Sequence, residues 1–352
     1  MRHIPRTYLA LAVLTASAVS CSKADAGEDT ALYGDENRIA FYIKAPGTRS
    51  IIGDTQTLLN LAPDITVTDL SGNNPVFTDT RISHTGNGVW RSEKPWEDGK
   101  QYVFYAYVQS PGNGAGSELS SSNLGRNVTI SQPSDYEEDD NAYTDFLMSY
   151  RVAADGTEKG LVQLDLERIT TGVELYMSKS PGMTKVTLNY ARFENVVRSA
   201  VFSISTPAAS TDEDLPNGMK NPWTISRRNA TADYEYRPDG GLGLSTFNPG
   251  GGSFTYDREY MVMNFLTVQQ STSEELSSGT RRIRLVLNYT VTENGRDIEY
   301  NADFYLDRFR PDTWTRGHKI RYYITVDTSI GLTGTVVPWE DIDFIEGTLL
   351  PD

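Results

Sequence analysis

Residues 282–306 read RIRLVLNYTVTENGRDIEYNADFYL, and this stretch decides the fold class. Apolar side chains recur at every second position before and after Asn294-Gly295. This period predicts strands with one buried face, and Asn-Gly between two such runs is the strongest short-range signal for a hairpin. The first strand has Ile283, Leu285, Leu287, Tyr289 and Val291 on one face, and the returning strand repeats the alternation with Ile298, Tyr300, Ala302, Phe304 and Leu306.

The same alternation recurs along the chain, and no stretch shows a period of 3.6 residues for more than two turns. Residues 101–109 are apolar on both faces, which predicts a central strand. Residues 110–141 are polar and are expected to form a solvated loop. Short strands separated by turn residues predict an all-β chain of antiparallel sandwiches. Other strands are expected at 39–45, 65–70, 145–151, 161–166, 173–177, 186–190 and 260–268, and residues 314–326 are expected to form a turn that leads into an alternating strand.

A change in composition predicts where two domains meet. The chain has 352 residues, enough for two ordinary domains. Residues 207–222 are rich in small and acidic side chains and contain the turn Pro216-Asn217-Gly218. We therefore predict one domain at 38–206 and a second at 207–352.

The amino terminus indicates export. Positively charged Arg2 and Arg6 precede an apolar run at 8–18, which is too short to span a bilayer and is typical of a signal peptide. Small residues then precede Cys21, the only cysteine in the chain. This is the form of a bacterial lipoprotein signal, in which a lipid is attached to the Cys21 thiol and cleavage precedes it.

Residues 1–20 are accordingly predicted to be the signal peptide, and 21–37 a flexible tether. An ordinary secretory leader with an incidental cysteine is the alternative.

The charge of the chain restricts its partners. The net charge is −15, and removal of Arg2 and Arg6 with the leader makes it −17. Such an acidic surface argues against nucleic acid and against electrostatic docking on anionic lipid. Attachment to a membrane would then depend on the Cys21 lipid. A chain with one cysteine has no internal disulfide, so its cores must stabilise it.

No motif for catalysis, metal or cofactor binding emerges. His84 and His318 lie in different predicted domains, and His3 leaves with the leader. The acidic run at 135–140 lacks the ligand spacing of a calcium loop, and no phosphate-binding motif follows the glycines at 241 and 243. We predict a non-enzyme with no cofactor. The alternative is glycoside hydrolysis by two carboxylates that the fold brings together from distant parts of the chain.

The predicted first strand has Ile39, Phe41 and Ile43 on one face and is followed by GTRS at 47–50. Further motifs follow in order over nearly the whole mature chain: Cys21 before this strand, then WEDGKQYVFYAY at 96–107, LDLERI at 164–169, WTRGHKIRY at 314–322 and VPWED at 337–341. In this order the chain resembles the Bacteroidales fimbrillin family, the FimA-like and Mfa-like subunits of type V pili. A departure is Arg168, where relatives often carry His.

The resemblance implies two transthyretin-like β-sandwich domains in tandem and export as a lipidated precursor to the cell outer membrane. It also implies that an arginine-specific protease cuts after the first strand, and that the freed subunit enters an extracellular fimbrium. The matching bond is Arg49-Ser50, with Lys44 and Arg38 as alternatives.

Removing the first strand would expose unpaired backbone groups and an apolar floor, which a strand from a neighbouring subunit could cover. The C-terminal segment is the candidate donor, because Ile342 and Phe344 alternate there. A structural subunit, shaft or tip, that serves adhesion is the main hypothesis. The alternatives are a surface lipoprotein that binds a glycan or host protein without polymerising, and the pilus anchor, which keeps its lipid and first strand.

Overall fold

The computed structural model describes residues 37–44, 66–69, 80–81, 83–86, 89–109, 117–122, 127–138, 142–149, 152–204, 223–246, 260–276, 279–327 and 331–338. They all belong to one compact unit that begins at Asn37. Within these ranges no helix has the length and apolar character needed to cross a bilayer.

The first half of the described chain contains strands of two to ten residues. They are β1 Arg38–Lys44, β2 Thr66–Asp69, β3 Thr80–Arg81, β4 Ser83–Gly86, β5 Val89–Pro95, β6 Gln101–Gln109, β7 Glu118–Ser122, β8 Asn127–Ser131, β9 Phe146–Ser149, β10 Val152–Asp155, β11 Val162–Arg168 and β12 Thr170–Lys179.

The second half contains strands of 2 to 20 residues, and Leu306–Arg308 forms a short 3-10 helix. The strands are β13 Lys185–Ile204, β14 Trp223–Tyr236, β15 Leu242–Gly243, β16 Met261–Val268, β17 Gln270–Ser271, β18 Ser273–Leu276, β19 Gly279–Arg282, β20 Arg284–Glu293, β21 Arg296–Tyr305, β22 Thr313–Trp314, β23 His318–Val326 and β24 Gly331–Pro338. The all-β prediction is confirmed.

Three larger sheets form sandwich-like layers. The first has the order β3-β2-β6-β9-β11-β1-β5-β4, with β10 also paired to β6. The second has the order β16-β12-β23-β24, and the third β21-β20-β13-β8-β7, with β14 and β15 paired to β13. The β1–β11 and β12–β23 pairs are parallel, so two of these sheets are mixed where the sequence predicts antiparallel pairing throughout.

Strand β6 lies between two groups of buried side chains, which explains why both of its faces are apolar. Tyr102, Phe104 and Ala106 pack with residues of β1, β5 and β11 in one group, which we call the β1 core. Tyr105 and Tyr107 pack on the opposite side with residues of β8, β9 and β13. The prediction of a central strand is therefore confirmed.

A separate core lies farther along the chain and extends from Tyr143 to Val326. Strand β13 is 20 residues long. Its first part pairs with β20 and its last part with β8, and β14 also pairs with it from Ala191 to Ile204. Strand β12 pairs with β16 and β23. Strands from before and after residues 207–222 thus share sheets, and the domain boundary at 207, which lies outside the described residues, stays a prediction.

The polar segment expected to be a loop contains two strands, β7 and β8. In β8 the side chains of Val128 and Ile130 are fully buried and alternate with half-buried Asn127, Thr129 and Ser131. Two apolar residues in a polar surrounding are too weak a pattern to predict this strand, which pairing with β13 stabilises.

Candidate functional site

The candidate site is the place that β1 occupies in the interior of the first sheet. On one side β1 pairs antiparallel with β5, with Phe41 opposite Trp90; on the other it pairs in parallel with β11, with Phe41 opposite Val162 and Ile43 opposite Leu164. Among the described strands, only β1 joins the β4–β5 pair to the rest of this sheet. We call the space between β5 and β11, which β1 fills, the β1 gap. Any strand in this space can form backbone hydrogen bonds on both sides.

The structure places the three alternating side chains of the predicted first strand in the β1 core. Ile39 and Phe41 have no exposed surface and Ile43 is 2% exposed. The Phe41 ring meets Phe104 edge to face, with 5.1 Å between the ring centroids. Tyr42, which points the other way, is 37% exposed. One face of β1 thus inserts apolar side chains into the sandwich, as period-two alternation requires.

Aromatic side chains form the floor beneath β1. Trp96, Tyr102 and Phe104 are buried, and their ring centroids are 5.2–6.1 Å apart. The backbone N–H of Trp96 donates a 2.7 Å hydrogen bond to the backbone carbonyl of Asn37, immediately before β1. Burial raises the pKa of the Tyr102 hydroxyl, which accepts a hydrogen bond from Glu97 N–H at 3.1 Å. These three residues belong to β6 and to the segment between β5 and β6, so the floor does not depend on residues of β1 itself.

Two interlocked turns hold the floor at the end where β1 begins. Gly156 N–H donates to the carbonyl of Lys100 at 2.8 Å, and Gly99 N–H donates to Thr157 Oγ1 at 2.9 Å. A Cβ atom on Gly156 would lie 2.0 Å from the carbonyl oxygen of Glu97. Only glycine fits this close approach of two backbones, so Gly156 sets the position of the β5–β6 turn.

A buried ion pair lies at the far end of β11. Arg168 Nε and Thr170 Oγ1 each lie 2.5 Å from a different carboxylate oxygen of Asp145. All three residues are buried. Arg168 therefore makes a structural contact between β11 and the segment before β9.

The other residues proposed from the sequence lie outside the described ranges. They are Cys21, Arg49 and Ser50 at the amino-terminal side, and Ile342 and Phe344 at the carboxyl-terminal side. His318 is half-buried, and its Nδ1 lies 2.8 Å from the carbonyl oxygen of Arg316. Within the described part of the chain, no three His, Cys, Asp or Glu side chains come together as metal ligands would.

No protein family model matches the chain, and no curated protein matches it. Solved structures similar to it include proposed cell adhesion proteins from Bacteroides uniformis (12% identity, 86% of this chain, 99% of that chain, TM-score 0.47) and Bacteroides ovatus (13%, 87%, 99%, 0.45). A proposed polysaccharide-binding protein from Bacteroides thetaiotaomicron has 11% identity, covers 86% of this chain and 98% of its own, and has a TM-score of 0.42. At this level of similarity, function must be argued from the residues of the chain itself.

Proposed function

We propose that the chain is a structural subunit, shaft or tip, of a type V fimbria that serves adhesion. It is exported as a precursor with a lipid on Cys21 at the cell outer membrane. An arginine-specific protease then cuts the Arg49-Ser50 bond, β1 leaves, and the extracellular subunits polymerise by strand exchange. The role is structural and non-enzymatic, and it uses no cofactor.

The position of β1 supports the proposal. β1 is the first described strand, yet it lies inside its sheet and pairs on both sides. Its departure would leave β5 and β11 with unpaired backbone groups on either side of an apolar floor. Such a gap cannot stay open to water, because unpaired edges and apolar surface favour pairing with another strand.

The energy of this exchange can be estimated from the buried side chains. Ile39, Phe41 and Ile43 at roughly 1.5–3 kcal/mol each contribute about 5–9 kcal/mol of apolar burial, as an upper bound. A donor strand with similar side chains recovers the same burial and the hydrogen bonds on both sides. Subunits of one or several kinds would thus bind one another strongly without a covalent bond. Ile342 and Phe344 remain the candidate donor side chains.

The proposal is tested by the amino terminus of the protein extracted from the cell surface. A start at Ser50 supports a processed subunit. A blocked, lipid-bearing start contradicts processing and instead indicates the anchor, or a surface lipoprotein that binds a glycan or host protein.

Arg49→Ala tests the cut itself in the organism that makes the protein. We expect the full-length lipidated form to accumulate and the polymer to disappear. The matched control is Arg38→Ala, which removes the exposed arginine at the start of β1 and should leave processing unchanged. If Arg49→Ala still yields the same shortened product and polymer, the assigned bond is wrong.

Strand exchange has its own test. A synthetic peptide of residues 37–46 should compete for the gap in the processed subunit and stop polymer growth. The same peptide with Phe41→Ala should compete far less, because it lacks the side chain that contacts Phe104. Equal inhibition by the two peptides would contradict a gap that selects apolar side chains.

A further inference from the structure

The outer edge of β21 carries an interaction surface that is separate from the β1 gap. β21 is the last strand of its sheet, and among the described strands it pairs only with β20. The two strands pair over ten residues without a register shift. Asn294 and Gly295, with φ of 51° and 75°, form the two-residue turn between them, which matches the twist of a regular hairpin.

β21 has few of the features that usually protect a sheet edge. Proteins block such edges with short strands, bulges, proline or charged side chains, lysine above all. Residues 296–305 contain no proline or lysine, and residues 296–301 are all exposed. The outermost strands β3, β4 and β7 have only two, four and five residues and β16 and β24 have eight, whereas β21 has ten. β21 is thus a long, regular edge that offers its backbone to another strand.

Apolar side chains continue from the core to this edge. Ile298 is 41% exposed and Tyr300 is 39% exposed. The Tyr300 ring stacks on buried Tyr289 with 5.5 Å between the centroids. A strand added beside β21 would cover these two side chains and extend the buried layer.

The acidic residues of β21 are held by β20. Thr292 Oγ1 donates to Asp297 at 2.6 Å, and Asn288 Nδ2 donates to Glu299 at 2.6 Å. Arg284 Nη1 lies 3.4 Å from an oxygen of Asp303. Because these partners lie on the neighbouring strand, the carboxylates do not prevent a second strand from approaching the free side.

We propose that this edge pairs with β21 of a second copy of the chain, antiparallel about a two-fold axis at Tyr300. In this register the two Tyr300 side chains face each other, and Ile298 faces Ala302 of the other copy. Glu299 faces Asn301, whose amide can donate to the carboxylate. Asp297 faces Asp303, and the ion pair of Asp303 with Arg284 reduces that repulsion. The edge is therefore self-complementary, as a two-fold contact requires.

The contact is small. One pair of strands buries less than the ~1,000 Å² typical of stable interfaces, so single molecules associate weakly. Many copies on a surface or along a polymer bind one another far more strongly through the same contact. The pairing needs neither removal of β1 nor the cut at Arg49, so its test is independent of the proposed function.

Disulfide trapping tests the contact and its register. In the full chain carrying Cys21→Ser, we would introduce Tyr300→Cys, or Glu293→Cys at the exposed end of the hairpin as the matched control, and oxidise at equal protein concentration. The pairing predicts a disulfide dimer that forms several-fold faster for Tyr300→Cys, because opposed positions in an antiparallel pair lie within disulfide range. Equal rates for the two variants would overturn the proposal.

A mixture of two tagged variants tests the register further. Ile298→Cys and Ala302→Cys chains should link to each other several-fold more than either links to itself. If Ile298→Cys chains link to themselves equally well, the two-fold pairing about Tyr300 is wrong. Unchanged circular dichroism of the reduced variants would confirm that the fold is retained.

Discussion

Phe41→Ala should weaken the packing of β1 in its sheet without unfolding the second half of the molecule. The Phe41 side chain is fully buried, pairs opposite both Trp90 and Val162, and contacts Phe104. Truncating a buried phenylalanine typically costs 3–5 kcal/mol, because transfer energy is lost and a cavity remains. We therefore expect the free energy of opening β1 to fall by about 3–5 kcal/mol.

Hydrogen exchange measured by mass spectrometry locates this effect. Since every 1.4 kcal/mol is a tenfold change, amides of β5 and β11 that exchange through opening of β1 should exchange about 10²- to 10⁴-fold faster. Amides of β20, in the separate core, should change little. The matched control is Tyr42→Ala on the same strand, where the outward side chain is 37% exposed and the expected loss is about 0.5 kcal/mol.

Two results would refute this reasoning. Equal effects of Phe41→Ala and Tyr42→Ala would mean that the inward face of β1 does not hold the strand in place. Equal acceleration in β5, β11 and β20 would mean that β1 cannot open without global unfolding, and departure of β1 from a folded subunit would lose its physical basis.

Three further predictions concern stability. Gly156→Ala should lower the free energy of unfolding by about 1–3 kcal/mol, because the new Cβ would overlap the Glu97 carbonyl; Gly160→Ala, with nothing within 4 Å, should be nearly neutral in the same urea titration. Asp145→Ala should lower the free energy of unfolding by about 3–5 kcal/mol, because it removes the carboxylate beside buried Arg168. Asp98→Ala, in an exposed pair with Lys159, should lower it by less than about 1 kcal/mol. Equal losses of stability in thermal unfolding would contradict the assignment of a buried pair. Burial acts to raise the pKa of Glu174, but Lys319 and Arg321, at 2.9 and 2.7 Å, outweigh it and lower the pKa below its usual 4.5. Ionised Glu174 therefore stabilises the fold above about pH 4.5 and loses this effect as the pH falls through its lowered pKa, so the difference in stability between the native chain and Glu174→Gln should shrink in acid and stay constant from pH 6 to 7.

Several elements could be predicted from the sequence because their pattern is local. The hairpin of β20 and β21 is specified by alternation and by Asn294-Gly295, and β6 by its two apolar faces. β13 shows the limit: the pattern predicts residues 186–190, but the strand continues to Ile204. Register shifts near Asn189 and Asn195 interrupt the period of two, so pairing with β14 and β20 continues where the alternation does not.

For the candidate site too, the sequence predicts the local pattern and not the pairing of distant strands. Alternation predicts that Ile39, Phe41 and Ile43 share one face, but it does not say which strands cover that face. β1 pairs with β11, more than 100 residues later in the chain, and such a distant parallel pairing has no local signal. The exposed edge of β21 is also invisible in the sequence, because its alternation is the same as that of a strand paired on both sides.

The sequence by itself determined that the chain is all-β, which side chains of each regular strand share a face, and where the tightest hairpin turns, because these properties depend on neighbours a few residues apart. Only the tertiary structure decided that β1 lies inside its sheet, that β13 links strands from both halves of the chain, and that β21 is left at an edge. The order of strands depends on which apolar faces pack best over the whole molecule, and that balance of distant contacts is not written in any single stretch.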